Sequence, residues 1–335
     1  VKKPLLTAAV LALATAVVLA GCSGKPAADS KTATVSNAPK SNPIPLAGKP
    51  VNKYDKFFEE KDGVKNFYIW VEEKQWDLMK GVTIPAWTFN GTLPGPEIRV
   101  KVGDHVKVHF RNTSSQPHSI HFHGQLGVDQ QNDGVPATSA AVNPNQEFVY
   151  DFVAQNPGTQ FYHCHVATYY HLDMGLYGAL IVEPKDPPKD PQYKWDKEYT
   201  LMLDDWAVGD GKNDPLKART NQDYNYFSIN GKVFPETVPI EGKVGDKVLM
   251  RFVNVGYRAF SMHSHGYGGT VLALDGYNVP QPYQRDVFTV NPGERMDVLI
   301  TLREGIYPFH DHQLENVLNN GEYLGGATFL VIGKK

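Results

Sequence analysis

Eight of the 12 histidines in this chain fall in four His-x-His pairs: His121/His123, His163/His165, His263/His265 and His310/His312. In an extended strand, residues i and i+2 project from one face, so each pair delivers two imidazoles to one spot. Imidazole is a ligand for copper, zinc, iron and nickel. A single such pair is as well explained by packing, but four of them are not a chance arrangement. The pair at 163 and 165 encloses Cys164, which by the same alternation points to the opposite face. It cannot share an ion with both neighbours without breaking the strand, so it serves a second site back to back with the first. A thiolate with two imidazoles is the trigonal donor set of a blue-copper electron-transfer centre. His171 follows on the same loop, and His118, in PHSIHFHG, is the candidate donor from another strand. His105 and His109 alternate with Val106, Val108 and Phe110 and share a solvated face with Lys107.

The elements that position these residues occur twice. FNG at 89–91, VKVGDHVKVHFRN at 100–112 and HFHG at 121–124 return as ING at 229–231, GKVGDKVLMRFVN at 242–254 and HSHG at 263–266. GTQFYHCH at 158–165 returns as GIYPFHDH at 305–312. Two copies of one domain are the economical reading. Short alternating runs, abundant Gly and Pro and no long amphipathic pattern make each copy a Greek-key β-sandwich. The repeat also tests the thiolate site. At the matching positions His118 becomes Phe260, Cys164 becomes Asp311, and His171 falls near Leu318 and Asn319, while both His-x-His pairs remain. Donors lost as a set worked as a set. One thiolate site is expected in the first domain, and one cluster fed by both.

The 335 residues suit two domains, and a formal net charge of -3 with no basic run gives no footprint for nucleic acid. Lys2 and Lys3 precede an apolar run from Leu5 to Ala20 that is short for a bilayer span. Its Leu-Ala-Gly-Cys ending resembles the bacterial lipoprotein lipobox, which implies a signal peptide over 1–22 and a lipid on Cys22. Such a chain is expected to be exported and held on the extracytoplasmic face of a membrane. Residues 23–64 read as a flexible tether and lead-in. Domain 1 is expected over 65–184, a Pro- and Lys-rich linker over 185–195, and domain 2 over 196–335. With Cys22 lipidated, Cys164 has no disulfide partner.

PHSIHFHG, HCHVATYYHLDMGL, HSHG and FHDH together resemble the four copper-binding segments of multicopper oxidases, and NGTLPGPEIRVKVGD at 90–104 is similar to that family's lead-in. The resemblance runs from about residue 66 to the end and implies an all-β fold of two tandem cupredoxin-like domains. Carried over by position, it implies type 1 copper on His118, Cys164 and His171, type 2 copper on His121 and His263, and a type 3 pair on His123, His163, His165, His265, His310 and His312. That is about four coppers per chain. The family's axial position falls on Leu176, with Met174 the competing candidate. A non-ligating leucine favours Cu(I) and a higher potential. Asp133, in QNDGVP, resembles the family's acidic residue that supplies protons, although Asp-Gly is also a common turn.

The implied activity is laccase-like: a reducing substrate, phenol or metal ion, gives up electrons at type 1 copper, and O2 is reduced to water at a trinuclear cluster. Two-domain relatives imply a homotrimer, with the cluster between domain 1 of one subunit and domain 2 of the next. The loop VATYY between Cys164 and His171 is longer than that family's usual loop, and DHQLENVLNNGEYLGGA at 311–327 looks like a motif of copper nitrite reductases. In those enzymes the position of His121 is an aspartate, and the equivalents of His165 and His310 are not histidine. A copper nitrite reductase, or a non-enzymatic electron-transfer lipoprotein, is the alternative.

Overall fold

The computed structural model describes residues 44–45, 53–216 and 223–335. The expected signal peptide with Cys22 lies outside the described residues, as does most of the tether. Among the described residues, no helix is long and apolar enough to cross a membrane.

Ten strands build the first half: β1 (Ile44–Pro45), β2 (Phe58–Lys61), β3 (Val64–Met79), β4 (Val82–Phe89), β5 (Gly95–Lys101), β6 (His105–Arg111), β7 (His121–His123), β8 (Gln146–Val153), β9 (Gly158–His163) and β10 (Tyr177–Glu183). One sheet runs β1-β8-β6-β3-β2 with β4 on β3, and the facing sheet runs β5-β10-β9-β7. The second half repeats the plan with β11 (Lys197–Trp206), β12 (Val208–Gly209), β13 (Lys212–Asn213), β14 (Tyr226–Ile229), β15 (Ile240–Lys243), β16 (Lys247–Asn254), β17 (Phe260–Ser264), β18 (Gly269–Leu274), β19 (Tyr277–Arg285), β20 (Val287–Val290), β21 (Arg295–Thr301), β22 (Gly305–Asp311) and β23 (Thr328–Lys334). Its sheets run β14-β11-β16-β21-β18-β19 and β15-β23-β22-β17-β20, with β12 and β13 forming a small separate hairpin. The chain is thus all-β, two cupredoxin-like sandwiches in tandem.

Alternation does what the sequence asks of it. Val106, Val108 and Phe110 on β6 are fully buried. On the other face His105 pairs with Asp151, while His109 stacks on Tyr68 and bonds Asn66. The expected tether and lead-in up to residue 64 is a correction: β2 lies within it. Asp62 and Gly63 both take positive φ (52° and 75°), the two-residue turn that matches strand twist, so Phe58–Lys61 folds back on β3. Phe58 then packs on Phe67 at 5.0 Å.

The two halves share a buried seam as well as the exposed Pro-rich connection. Leu78, Leu93, Phe161 and Tyr177 pack with Met202, Trp206, Val233 and Val253. A Cβ on Gly158 would lie 2.3 Å from the carbonyl oxygen of Gly276, so the two backbones touch where no side chain fits. Thr159 donates to Asp297, and Arg251 donates to both.

Three carboxylates, Asp173, Asp204 and Asp205, are buried at this seam. Burial, then the charge of Asp173, pushes Asp205 up to about 7, opposed by the backbone N–H groups of Arg258 and Tyr257 and by the Arg258 charge. Asp204 is raised for the same reasons, burial first and then Asp205 and Asp173. A folded-state pKa above the unfolded value means that the folded chain holds the proton more tightly. The resulting stability is complete below about pH 4 and is lost as pH rises through about 7. Asp205→Asn is therefore expected to gain in Tm over the wild type across that window, read by thermal unfolding at stepped pH. A difference in Tm that does not vary with pH refutes it.

Candidate metal centres

Cys164 follows the end of β9 and is fully buried, with its backbone N–H bonded to the Leu176 carbonyl. Its sulfur lies 3.3 Å from His171 Nδ1 and 3.6 Å from His118 Nδ1, and the two Nδ1 atoms are 3.2 Å apart. Donors around one trigonal ion, at bonds of about 2.0 Å to nitrogen and 2.3 Å to sulfur, are separated by about 3.5–3.7 Å. The observed triangle fits such an ion. VATYY explains how His171 arrives: residues Thr168–His171 form a helical turn, α1, entered through Ala167 at φ 42°, with His171 N–H bonded to the Ala167 carbonyl.

The protonation states fit as well. Burial, then the neighbouring His171, pushes His118 down to about 3, and burial alone pushes His171 down to about 4. Both rings are neutral near pH 7, with lone pairs to give. Burial pushes the Cys164 thiol up to about 12, so without a cation beside it the group stays protonated and inert. His118 Nε2 is buried and finds no partner. The tautomer that frees Nδ1 leaves its proton there, so the site forgoes a hydrogen bond to aim Nδ1 at the thiol.

The four His-x-His pairs form two quartets. β7 pairs antiparallel with β9, placing His121 opposite His163, and β17 pairs with β22, placing His263 opposite His310. Ring centroids in the first quartet are 5.2–5.8 Å from His121 to its three neighbours. In the second, His263 is 5.0–5.9 Å from His265, His310 and His312. Donor atoms of His121, His123 and His163 all lie within 4.8 Å of one another. His121, His163, His263 and His310 each turn Nδ1 to a backbone carbonyl, of Asp133, Cys164, Asp286 and Asp311, at 2.8–3.0 Å. With Nδ1–H donating, each Nε2 carries the lone pair that a cation would take. His265 and His310 already bring their Nε2 atoms to 2.9 Å. Among the described residues, no ring contact or hydrogen bond joins one quartet to the other, and His265 and His312 are exposed.

In the second domain the positions matching the thiolate site are plugged. Phe260 is core, and Asp311 is buried, accepting from Ser261 N, Gln313 N and Asn316 Nδ2. Comparison with known proteins places both halves in one family. Two multicopper oxidase family models match, one over residues 70–187 and the other over residues 197–328. The chain belongs to the multicopper oxidase family. Multicopper oxidase MmcO of Mycobacterium tuberculosis is 30% identical over 260 residues, 68% of this chain; the chain spans half of that relative's length. A copper-containing nitrite reductase of Pseudomonas chlororaphis is 29% identical over 283 residues, 77% of each chain. The crystal structure of a blue copper oxidase from Nitrosomonas europaea superposes with a TM-score of 0.73 at 34% identity, over 80% of this chain and 85% of that one.

Around these candidate centres, three residues enter that the sequence pattern did not mark. Trp87 on β4 sets its indole edge-on to both His171 (4.8 Å) and His118 (5.3 Å) and meets Tyr170 at 5.5 Å. Arg295 of the second domain lies near His123, adding to the burial that pushes that imidazole down to about 3. Its guanidinium stands 5.9 Å from the Phe161 ring on which His123 stacks. Asn213, on β13, reaches the loop after His171. No spacing rule marks them, since each comes from a strand distant in sequence. Of the axial candidates, Leu176 is buried in the same core as Cys164, whereas the Met174 sulfur accepts from Asn213.

Proposed function

We propose that this chain is a laccase-like oxidase that takes single electrons from a reducing substrate and passes them to O2. The full set of eight quartet histidines carries the reading, together with the separate Cys164 triangle. His118, Cys164 and His171 would hold type 1 copper; His121 and His263, type 2; His123, His163, His165, His265, His310 and His312, the type 3 pair. Bound copper supplies one-electron chemistry at the sulfur site and four-electron reduction of O2 to water at the imidazole sites. The chain supplies the rest. Cys164 is one peptide unit from His163 and one from His165, so a single short covalent path joins the two centres. Trp87 and Tyr170 wall the His171 edge, where a phenol or metal ion would approach.

The nitrite reductase relative makes reduction of nitrite the competing reading. Metal analysis with an oxygen electrode decides between them. About four coppers per chain and O2 uptake support the oxidase. About two coppers, with nitric oxide from nitrite, overturn it.

Asp133 is the proton donor we assign. His121 Nδ1 meets its backbone carbonyl at 3.0 Å and its carboxylate at 3.1 Å. The carbonyl alone suffices to orient the ring, which leaves the carboxylate, one-third exposed, as a route from water to the quartet. Asp133→Asn is expected to keep its copper and lose O2 turnover by on the order of 100-fold. Unchanged turnover, or lost copper, would reduce Asp133 to a turn residue.

The second quartet, with His265 and His312 exposed and with Leu314, Tyr323 and Leu324 exposed in the stretch that follows, suits a partner surface. We place domain 1 of a second copy there, in a closed homotrimer. The Leu-Ala-Gly-Cys run supports export and a lipid anchor at Cys22, which would tie the trimer to the extracytoplasmic face of a membrane.

A further inference from the structure

The loop from His171 to Leu176 carries one thioether, Met174, two residues from the position expected to face the type 1 ion. Met174 is almost wholly buried and its backbone is fixed on both sides: its N–H bonds the Tyr170 carbonyl, and its carbonyl accepts from Trp87 N–H. The sulfur is held as well. Asn213, from the small hairpin of the second domain, donates Nδ2 to the Asp173 carbonyl at 2.8 Å and to Met174 Sδ at 3.6 Å. Its Oδ1 is buried and has no partner. A buried amide that leaves an acceptor unsatisfied is less stable than an apolar side chain filling the same space. The amide therefore has a use on its Nδ2 side. One of its two hydrogens satisfies a carbonyl; the other is spent on a thioether, a weak acceptor that packing alone would satisfy.

We propose that Asn213 is a positioning residue that parks the Met174 thioether away from the His118/Cys164/His171 triangle and so keeps the second domain in control of the first domain's copper. Leu176, in the same core as Cys164, would then offer the site hydrocarbon and no donor atom. Copper held by His118, Cys164 and His171 with no added sulfur donor would favour its reduced form and a higher potential. The inference rests on the type 1 assignment made above.

The test is a redox titration of the blue absorption band in the copper-loaded full chain, with its visible and paramagnetic resonance spectra. Met174→Leu is expected to leave band and potential unchanged, because the thioether is not a ligand. Asn213→Leu and Asn213→Ala are each expected to lower the potential and move intensity from the red to the violet band. Adding Met174→Leu to either is expected to restore wild-type values. Overturning results are an altered site in Met174→Leu alone, an unaltered site in both Asn213 variants, or a fall that persists in the double variants. If the wild-type chain itself shows no blue band, it is the type 1 assignment that has failed.

Discussion

Cys164→Ser is expected to remove the blue colour and bring oxidation of reducing substrates to background, while most of the histidine-bound copper stays. A serine hydroxyl is close in size to the thiol but does not supply a thiolate, and the blue band belongs to the copper–thiolate bond. Copper should fall by about one ion in about four. Folding is a separate matter. Cys164 is fully buried among Ile120, Phe122, Leu176 and Leu180, so a hydroxyl there costs about 1–3 kcal/mol unless it finds an acceptor. The Val166 carbonyl, now 3.9 Å from the sulfur, is within reach of a small shift. If Cys164 were a packing residue, the same substitution would cost stability and nothing else. A variant that stays blue, or oxidises substrate at the wild-type rate, removes the thiolate from the mechanism.

What the sequence disclosed here, and what it withheld, divides by range. The His-x-His pairs were legible because strand alternation is local: two residues on, same face, whatever the surroundings. The loss of the second thiolate site was legible because the repeat lets one half of the chain act as a control for the other, and Phe260 and Asp311 do fill the vacant positions as core and capped carboxylate. The β2–β3 hairpin was missed despite a local signal, the Asp62-Gly63 turn, because flanking Lys and Glu made the segment read as a polar lead-in. The α1 turn was withheld for another reason. VATYY could loop or coil, and its choice depends on His171 meeting Cys164 and Trp87 in space. Asn213, Trp87 and Arg295 act across strands whose pairing no spacing encodes. The buried seam hid likewise: the Pro-rich run advertised a linker, while the contact at Gly158 and Gly276 lay at the start of β9 and in an ordinary-looking turn.

A complementation experiment bears on the quartets with the largest contrast. One variant carries Cys164→Ser, which disables the first domain; the other carries His263→Ala and His312→Ala, which disable the second. Each alone is expected to be inactive. Co-expressed, they are expected to regain oxidase activity, because in the proposed homotrimer a whole site would take an intact first domain from one chain and an intact second domain from its neighbour. In a closed ring of three with random mixing, about a quarter of the junctions meet that condition, and activity per chain should approach about a quarter of the wild type. The arrangement within one chain points this way. The second quartet presents His265 and His312 to solvent, and among the described residues its rings touch one another and not the first quartet. His263 and His310 turn Nδ1 to backbone carbonyls, which leaves Nε2 as the nitrogen that would take a metal ion. If both quartets served one site within a chain, every co-expressed molecule would still carry a dead half. Activity at background in a mixture that forms mixed oligomers would then place the cluster inside the single chain.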